Sequence, residues 1–486
     1  MEIFGQYYLR PAVLRNGFMD SCTNPLFLFL GGFPVKPKTL CLFGCCLLPL
    51  FILTACVPQQ QMLAAPTLLP GTDRTMLTAG FWISRHPSPD TLVLTTEQIA
   101  DLNYHIENEL KSVVDITRMP ASYSGNVLTT LLNQDIDLMR SKVRYLSSGQ
   151  TVPGSFYDRI SEDMDIAAIP SSIVPEYGVV VRFANQRILP TRDSIYGSAS
   201  EVDFDGLQNN ALELGTPLLI LHWSRDLQWV YVRSSMSAGW VESQHIARCS
   251  AEAVEDFIHP GRVAVVLRPK ADIYRNPSLT YSEEYVQMGV PLPLIEVQEN
   301  VYHVMIPIRD SQGYLIKQDG YILKNHACEG YLPYTARNIL QQAFEMLNAP
   351  YGWGGMYGEQ DCSRYIQQIF ATVGIHLPRN SADQAMVGKR VAKFESDTPE
   401  SDKISVLGEV SGGITTLYMK GHIMLYLGKV GFLPYAIHQT WAFRMRNGDQ
   451  DAAYKVNRVA VTDMDLGRGT RNGSLLDRLQ SIQVIQ

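Results

Sequence analysis

The chain has 486 residues, of which 46% are hydrophobic and 18% are charged. This length predicts two to four domains at about 100–200 residues each, and the composition excludes a disordered, collagen-like or coiled-coil chain. The formal net charge of -7 argues against a nucleic-acid partner held by a broad basic surface.

Residues 1–56 predict an export signal. An uncharged stretch from Thr39 to Ala55 follows two lysines and is shorter than the ~20 apolar residues of a membrane-spanning helix. It ends in Leu53-Thr54-Ala55-Cys56, which resembles the bacterial lipoprotein box, whose cysteine is diacylated and becomes the mature N-terminus. The resemblance implies a lipid anchor at Cys56 on the periplasmic side of a bacterial envelope, at the outer membrane in preference to the inner. A signal anchor whose cysteine has no role is the alternative.

A second apolar run, Leu26 to Leu30, lies too far upstream to belong to such a signal. We therefore expect an over-long start, with synthesis beginning near Val35 or at Met19.

The segment that follows the signal predicts a tether and a helical domain. Residues 57–76 are rich in proline and glutamine, which is typical of a flexible tether. Thr95-Thr96-Glu97-Gln98 is typical of a capping box ahead of apolar residues at helical spacing. We predict a small, mainly helical domain over residues 77–175, and nothing in it suggests chemistry.

Two small β-barrels are predicted over residues 176–252 and 253–329. Short β-branched and aromatic runs alternate there with Gly, Pro and Asp, and Gly239-Trp240-Val241 is echoed by Gly320-Tyr321-Ile322. The pattern resembles bacterial Src-homology-3-type domains, which implies either cell-wall targeting or a wall beside a neighbouring site. We expect most of the aromatic residues to fill barrel cores, and whether the barrels bind glycan stays open.

Cys362 begins a predicted helix in the last segment, residues 330–486. The end of a helix where backbone N–H groups are free favours the thiolate form of a cysteine, so the pattern predicts a lowered thiol pKa. Apolar side chains follow Cys362 at helical spacing: Tyr365, Ile366, Ile369, Phe370 and Val373.

Two histidines lie on two predicted strands that form a hairpin. A two-residue loop between the strands places His422 opposite Ile437, whereas a three-residue loop places it opposite His438. The sequence does not choose between these registers, since a slip of one residue reverses the face of every side chain. In both cases the two histidines lie at the same end of neighbouring strands.

The motifs YGWGG, DCS, LPRNSADQ, GHIMLYLG and AIHQT together resemble the NlpC-type cell-wall peptidases over about residues 330–445. The resemblance implies a papain-like α+β domain whose cysteine helix packs on an antiparallel sheet that carries both histidines. The helical segment and the paired barrels resemble the accessory domains of one multidomain branch of that family. The whole chain is therefore expected to be a multidomain cell-wall hydrolase.

The resemblance also implies a mechanism. Cys362 attacks an amide carbonyl as thiolate, His422 takes the thiol proton and returns it to the leaving amine, and His438 orients the imidazole of His422. The backbone N–H of Cys362 and the hydroxyl of Tyr351 receive the oxyanion. The expected reaction is cleavage between γ-D-glutamate and the diamino acid, commonly meso-diaminopimelate, of peptidoglycan stem peptides.

Three residues near the cysteine are implied in substrate binding: Asp361, Ser363 and Ser381 face the substrate, and the serines hydrogen-bond its γ-D-glutamyl part. For Ser381 a structural alternative exists, because Ser381-Ala382-Asp383-Gln384 is also a capping-box pattern.

Asn380 stands where many relatives carry an aspartate that helps to bind the substrate ammonium. A neutral amide lacks the charge assistance of a carboxylate. A requirement for a free N-terminal L-Ala therefore stays open, unless the first barrel supplies an acid: Glu201, Asp203 or Asp205.

Two other function classes compete with the peptidase. One is a non-catalytic, peptidoglycan-binding lipoprotein scaffold, and the other is an amidase or acyltransferase on the same fold. No HExxH motif is present, and we expect no metal and no cofactor. We expect a monomer whose partners are peptidoglycan stem peptides and the membrane. A disulfide between Cys249 and Cys328 stays open.

Overall fold

The computed structural model describes residues 62–486. The expected export signal, Cys56 and the first residues of the expected tether lie outside the described residues. Within residues 62–486, no helix has both the length and the apolar character needed to cross a membrane.

The N-terminal part consists of short strands and helices. The second helix begins with the predicted capping box, since Thr95 Oγ1 accepts from the Gln98 N–H and the Gln98 side chain accepts from the Thr95 N–H. The elements are β1 (Leu63–Ala64), α1 (Ala79–Ile83), α2 (Thr96–Asn108), β2 (Tyr123–Ser124), α3 (Gly125–Arg140), α4 (Gly154–Asp163) and β3 (Ser172–Ile173).

Two seven-stranded sheets follow, which we call the first and second β-domains. The first contains β4 (Glu176–Val180), β5 (Ala184–Arg187), β6 (Gln208–Leu212), β7 (Pro217–Trp223), β8 (Trp229–Arg233), β9 (Ala238–Glu242) and β10 (Ile246–Cys249). After α5 (Ala251–Ile258), the second contains β11 (Val263–Val266), β12 (Lys270–Tyr274), β13 (Ser282–Gln287), β14 (Pro291–Val297), β15 (Val301–Arg309), β16 (Leu315–Leu323) and β17 (Ala327–Glu329). The first has strand order β10-β4-β7-β8-β9-β5-β6 and the second β13-β12-β16-β15-β14-β11-β17.

The C-terminal domain is built on a third seven-stranded sheet, of order β1-β22-β21-β20-β19-β23-β18. All its strand pairs are antiparallel except that of β1 with β22. Its elements are α6 (Ala336–Glu345), α7 (Cys362–Ala371), α8 (Ser381–Gln384), β18 (Lys389–Lys393), α9 (Glu400–Leu407), β19 (Thr415–Met419), β20 (His422–Val430), β21 (Leu433–Asn447), β22 (Gln450–Asp463), α10 (Leu475–Arg478) and β23 (Ser481–Val484).

Helix α7 packs its apolar face on this sheet. Ile366 and Ile369 of the helix share a fully buried core with Ile423 and Ile437 of the two histidine strands. Burial of such a side chain contributes about 1.5–3 kcal/mol. The predicted papain-like α+β domain, with its cysteine helix on an antiparallel sheet, is confirmed.

The helices of the predicted helical domain, residues 77–175, divide between two cores. Trp82 of α1 and Ile106 of α2 are buried in the core of the C-terminal domain, whereas Leu132 of α3 and Ile160 of α4 are buried against the first β-domain. Short amphipathic helices bury too little surface among themselves, so each pair is covered by a sheet.

The predicted flexible tether is wrong for the part that the structure describes. Leu63 lies opposite Tyr454 in a parallel pair of β1 with the edge of β22, and the Arg458 guanidinium donates to the carbonyls of Pro66 and Thr67. Leu69 is buried in the core beneath. Proline-rich composition did not prevent pairing, because an edge strand offers free backbone groups to any extended segment.

The register of the histidine hairpin differs from both predicted alternatives. Its loop is Gly431-Phe432, Val430 lies opposite Leu433, and Leu425 lies opposite Ile437. Gly431 has a φ of 61°, a left-handed value that glycine adopts at little cost. A bulge between Tyr426 and Gly428 shifts the pairing by one residue. The histidines are consequently diagonal neighbours on one face, not directly opposite each other.

Cys249 and Cys328 are both free thiols. Each is half-buried at the end of its β-domain, and burial raises the pKa of each thiol to about 11. The disulfide that the sequence left open is not formed.

Candidate active site

Cys362 is the first residue of α7, as predicted, and Asp361 caps the helix by accepting from the Arg364 N–H at 2.9 Å. The predicted lowering of the thiol pKa is wrong. Burial raises the pKa of Cys362 to about 12, and the Asp361 carboxylate adds to the rise, although the backbone N–H groups of Ile423 and Ser363 oppose it. Desolvation outweighs the helix end, so the thiol carries its proton in the free protein.

The two histidines form a buried hydrogen-bonded pair. Nε2 of His422 lies 2.7 Å from Nδ1 of His438, and Nε2 of His438 lies 2.9 Å from Oγ1 of Thr462. Thr462 is not among the site residues predicted from the sequence. Thr462 lies on β22 opposite Ala436 of β21, and Ala436 is two residues before His438. The only sequence feature that could have indicated Thr462 is the strand-like pattern after residue 450.

Both imidazoles are held neutral. Burial lowers the pKa of His422 to about 3, with a smaller contribution from the positive charge of Arg478. The pKa of His438 is lowered well below its usual value, by burial first and then by His422 and Arg478. In a neutral pair one ring must donate and the other accept, so the chain from His422 to Thr462 has a defined direction for its protons.

Asp361 and Ser363 both accept hydrogen bonds from Arg379, which is not among the site residues predicted from the sequence. Arg379 contacts both carboxylate oxygens of Asp361, at 2.5 and 3.1 Å, and donates to the Ser363 hydroxyl at 2.9 Å. Arg379 also donates to Asn210 of the first β-domain at 2.7 Å. Both oxygens of the Asp361 carboxylate thus accept hydrogen bonds from protein groups, which lower its pKa despite burial. Its contact with substrate stays a prediction.

Asn380 and Ser381 lie at the start of α8. Asn380 is the N-cap residue, with no side-chain cap bond, and its amide donates to Asp383 at 3.2 Å. The capping-box alternative for Ser381 is wrong, since Ser381 is already inside the helix. The Gln384 amide donates instead to the carbonyls of Ser363 and Pro378, both at 2.8 Å.

An aromatic cluster beside Tyr351 joins the C-terminal domain to the first β-domain. Phe204 of the first β-domain packs edge-on against Trp353 and Trp441, both at 5.1 Å between ring centroids, and against Tyr351 at 6.3 Å. We call these four residues the aromatic rim. Burial and the neighbouring Cys362 raise the pKa of Tyr351 well above its usual value, so its hydroxyl keeps its proton.

The three acids named from the first β-domain have different surroundings. Asp205 is fully buried and paired with Arg187, and Asp203 pairs with Lys455 at 3.1 Å. Glu201 is half-buried and makes no ion pair with any described residue. Burial and the charge of Asp203 raise its pKa. Only Glu201 thus has a carboxylate that is available to a ligand.

Arg364, two residues after the cysteine, ties α7 to both β-domains. Its buried guanidinium donates to the Ala211 carbonyl at 3.0 Å and to Gln287 Oε1 at 3.1 Å, and it pairs with Glu213. Gln287 also accepts from Gln368 of α7 at 2.6 Å. No local sequence pattern indicates this network, because its members come from three separate domains.

Family models match two parts of the chain. The model of the SH3 domain (SH3b1 type) matches residues 194–242, and that of the NlpC/P60 family matches residues 348–447. The C-terminal domain is an NlpC/P60 domain. Its match begins before Tyr351 and includes Cys362, His422 and His438.

Two curated relatives are γ-D-glutamyl-L-lysine dipeptidyl-peptidases. That of Bacillus cereus is 31% identical over 131 residues, which are 26% of this chain and 38% of the relative. That of Bacillus subtilis is 27% identical over 199 residues, 40% of this chain and 60% of the relative. The chain therefore spans less than two thirds of the length of either relative.

The multidomain arrangement is also found in a solved structure. An NlpC/P60 endopeptidase from Photobacterium damselae subsp. piscicida superposes with a TM-score of 0.70 at 22% identity, covering 87% of this chain and 99% of that one. At this identity the similarity shows a shared fold, and it extends well beyond the C-terminal domain.

Proposed function

We propose that this protein is a cysteine endopeptidase that cleaves the bond between γ-D-glutamate and the diamino acid, meso-diaminopimelate, of peptidoglycan stem peptides. One observation carries the proposal: a buried chain from His422 through His438 to Thr462 lies on the sheet against which the helix of Cys362 packs. The NlpC/P60 match and the names of the two Bacillus relatives support the choice of bond.

The histidine chain sets the direction of proton transfer. The two contacts, of 2.7 and 2.9 Å, allow either direction of donation. We assign the tautomers in which Nε2–H of His422 donates to Nδ1 of His438 and Nε2–H of His438 donates to Thr462, because a general base needs a free ring nitrogen. This arrangement leaves Nδ1 of His422 as the unprotonated nitrogen that takes the thiol proton of Cys362. The sulfur then attacks the amide carbonyl, the C–N bond breaks as His422 protonates the amine, and water hydrolyses the thioester.

The oxyanion of the tetrahedral intermediate is received by two donors. One is the backbone N–H of Cys362, and the other is the hydroxyl of Tyr351, whose raised pKa keeps it protonated. Such a preorganised donor contributes about 3–4 kcal/mol to transition-state stabilisation.

The substrate's L-Ala-γ-D-Glu part lies between α8 and the first β-domain. Ser363 and Ser381 hydrogen-bond the γ-D-glutamyl part, and Asn380 supplies an amide where a carboxylate would carry charge. The Glu201 carboxylate makes no ion pair with a described residue, although the charge of Lys455 acts on it from a greater distance. It receives the ammonium of L-Ala. The first β-domain thereby acts as a wall of the site.

Mass spectrometry of muropeptides digested with the purified protein tests this proposal. A new product that ends in γ-D-glutamate, lost in Cys362→Ala while the variant keeps its thermal unfolding midpoint, is the expected result. Release of intact stem peptides would instead indicate an amidase. No change in the muropeptides would indicate a binding scaffold and overturn the proposal.

We also propose a lipid anchor at Cys56, which would hold the enzyme at the periplasmic side of the envelope. The support is the tetrapeptide Leu53-Thr54-Ala55-Cys56 and the cell-wall substrate. Globomycin should block maturation, and Cys56→Ser should remove the mass of the lipid. A mature protein without lipid would contradict the anchor.

A further inference from the structure

Arg478 is a cation that makes no ion pair with a described residue, although the charge of the adjacent Asp477 acts on it. It is half-buried at the last position of α10, and its Nε donates to the Ser474 carbonyl at 3.2 Å. Among residues 62–486 no carboxylate lies within ion-pair distance of it. The adjacent Asp477 uses its own carboxylate to cap α10, accepting from the Ser474 N–H at 2.7 Å. A half-buried guanidinium without a partner loses hydration and gains no ion pair, so a ligand anion would stabilise it.

Helix α10 is held rigidly at this place. The buried ammonium of Lys403 donates to the carbonyls of Leu476 at 3.0 Å and Asp477 at 2.8 Å. The Leu476 N–H donates to the Met464 carbonyl at 2.8 Å. The backbone that carries Arg478 is thus fixed before any ligand arrives, which reduces the entropy cost of binding.

The strand pairing places Arg478 at the end of the sheet where His422 lies. Ser481, three residues later, is paired with Tyr418 of β19, and the next residue of β19, Met419, is paired with His422. The positive charge of Arg478 lowers the pKa of both histidines, which agrees with a guanidinium that lies close to them.

Arg478 and the aromatic rim lie on opposite sides of the histidine strand. The sheet order is β22-β21-β20-β19-β23. Trp441 of the rim is on β21 and Lys455, which contacts the first β-domain, is on β22, whereas Arg478 lies three residues before the start of β23. A peptide whose L-Ala end lies at the first β-domain, as the proposed function requires, therefore has its leaving residue on the side of Arg478.

We propose that Arg478 binds a carboxylate of the diamino acid that leaves with the amine. A guanidinium matches a carboxylate with two parallel hydrogen bonds, which gives strength and direction. Two carboxylates of the leaving residue have this chemistry: the α-carboxylate when the peptide ends there, and the distal carboxylate that meso-diaminopimelate has and lysine lacks. If the distal group is bound, Arg478 selects diaminopimelate over lysine.

Four tripeptides of the form L-Ala-γ-D-Glu-X distinguish binding of the α-carboxylate from binding of the distal carboxylate. X is meso-diaminopimelate, its α-amide, L-lysine or L-lysine α-amide, so that both, only the distal, only the α or neither carboxylate is present. We expect the wild-type kcat/KM on at least one carboxylate-bearing peptide to exceed that on the lysine amide by about tenfold or more. In Arg478→Gln this ratio should fall to about twofold or less, and Arg478→Lys should keep part of it.

Arg471→Gln is the matched control. Arg471 is an exposed arginine seven residues earlier whose side chain makes no hydrogen bond or ion pair within the described part of the chain, so this variant should keep the wild-type ratio. An equal loss on all four peptides in Arg478→Gln, or no loss on any, would overturn the inference while leaving the proposed function intact. If the wild-type protein cuts none of the four, the proposed function is wrong and the inference falls with it.

Discussion

Nε2 of His422 and Nδ1 of His438 lie 2.7 Å apart on adjacent strands, as diagonal neighbours on one face of the sheet. The partner of the proposed base is therefore a second neutral imidazole and not a carboxylate. A neutral partner provides little charge stabilisation to the imidazolium that forms at His422, so its main contribution is to fix the tautomer and orientation. The hydroxyl of Thr462, 2.9 Å from the far nitrogen of His438, fixes that ring in turn.

The first prediction concerns this chain. His438→Ala should lower kcat by about 10²-fold or more, since general-base catalysis by a correctly oriented group contributes about 10²–10⁴-fold. Thr462→Val should lower kcat by a smaller factor and leave KM unchanged. The matched control is Thr416→Val, because Thr416 is a buried threonine of the same sheet whose hydroxyl has no hydrogen-bond partner. Steady-state kinetics on a tripeptide substrate measures all three, and an equal effect of Thr462→Val and Thr416→Val would contradict the orienting role.

The sequence predicted the parts of the site that local patterns determine. The start of α7 at Cys362 followed from apolar spacing, and the two histidines lay on neighbouring strands. The register did not follow, because the bulge after Tyr426 and the two-residue loop at Gly431 depend on how the whole hairpin twists and packs. Leu425 lies opposite Ile437, two or three residues from its partner in the predicted registers, because the turn lies later in the chain than the glycine pattern indicated.

The pKa shifts of the site also could not be predicted from the sequence. The helix end at Cys362 suggested a lowered thiol pKa, but burial raises the pKa of this thiol, since the residue is only 8% exposed. Burial of that kind comes from side chains far apart in the chain. The sequence also could not show that α1 and α2 belong to the core of the C-terminal domain. An amphipathic pattern predicts which face of a helix is buried, but it does not predict which sheet covers that face.

The second prediction is the acid limb of the pH profile. Burial lowers the pKa of His422 to about 3. We therefore expect kcat/KM to stay near its maximum as the pH falls through 6.5, and to reach half of that maximum only below pH 5. Because Cys362 is protonated in the free protein, iodoacetamide should alkylate it slowly at pH 7. An acid limb at pH 6.5 together with fast alkylation would show instead a resting thiolate–imidazolium pair.

The same burial affects stability. The folded pKa of His422 lies below the unfolded value of 6.5, so the unfolded chain binds more protons between these values. The stabilisation is present above about pH 6.5 and is lost progressively as the pH falls toward 3. Urea unfolding midpoints at pH 7.5 and pH 5 should differ in this direction.

The third prediction concerns Asp135, a buried carboxylate on α3. Burial raises its pKa to about 7 from 3.8, so above pH 7 the folded protein bears the full cost of a buried charge. Asp135→Asn should therefore stabilise the protein at pH 8 by about 1–4 kcal/mol and have little effect at pH 4. Thermal unfolding at the two pH values measures this, and a variant that is destabilised at pH 8 would show that the carboxylate has a stabilising partner.

The fourth prediction concerns the attachment of α7 to the β-domains. Arg364→Met leaves the carboxylate of Glu213 buried without its partner, which should cost about 3–5 kcal/mol. The double variant Arg364→Met/Glu213→Gln should recover part of the loss. The control is Arg268→Gln, which breaks an exposed ion pair with Glu345 between the second β-domain and α6 and should cost less than about 1 kcal/mol. Urea unfolding reports all three, and equal losses for the Arg364 and Arg268 variants would contradict the role of the buried network.

The fifth prediction concerns the N-terminal end of the substrate. If Glu201 receives the ammonium of L-Ala, Glu201→Gln should raise KM for L-Ala-γ-D-Glu-diaminopimelate by about tenfold, since a hydrogen bond to a charged group is worth about 1.5–3 kcal/mol. The N-acetylated peptide has no ammonium, so its KM should not change in this variant. Glu299→Gln, an exposed carboxylate of the second β-domain, is the control and should alter neither value. Because burial raises the pKa of Glu201, the wild-type KM for the free-amine peptide should increase as the pH falls and the carboxylate is protonated. A KM that rises equally for both peptides would show that Glu201 only supports the fold of its loop.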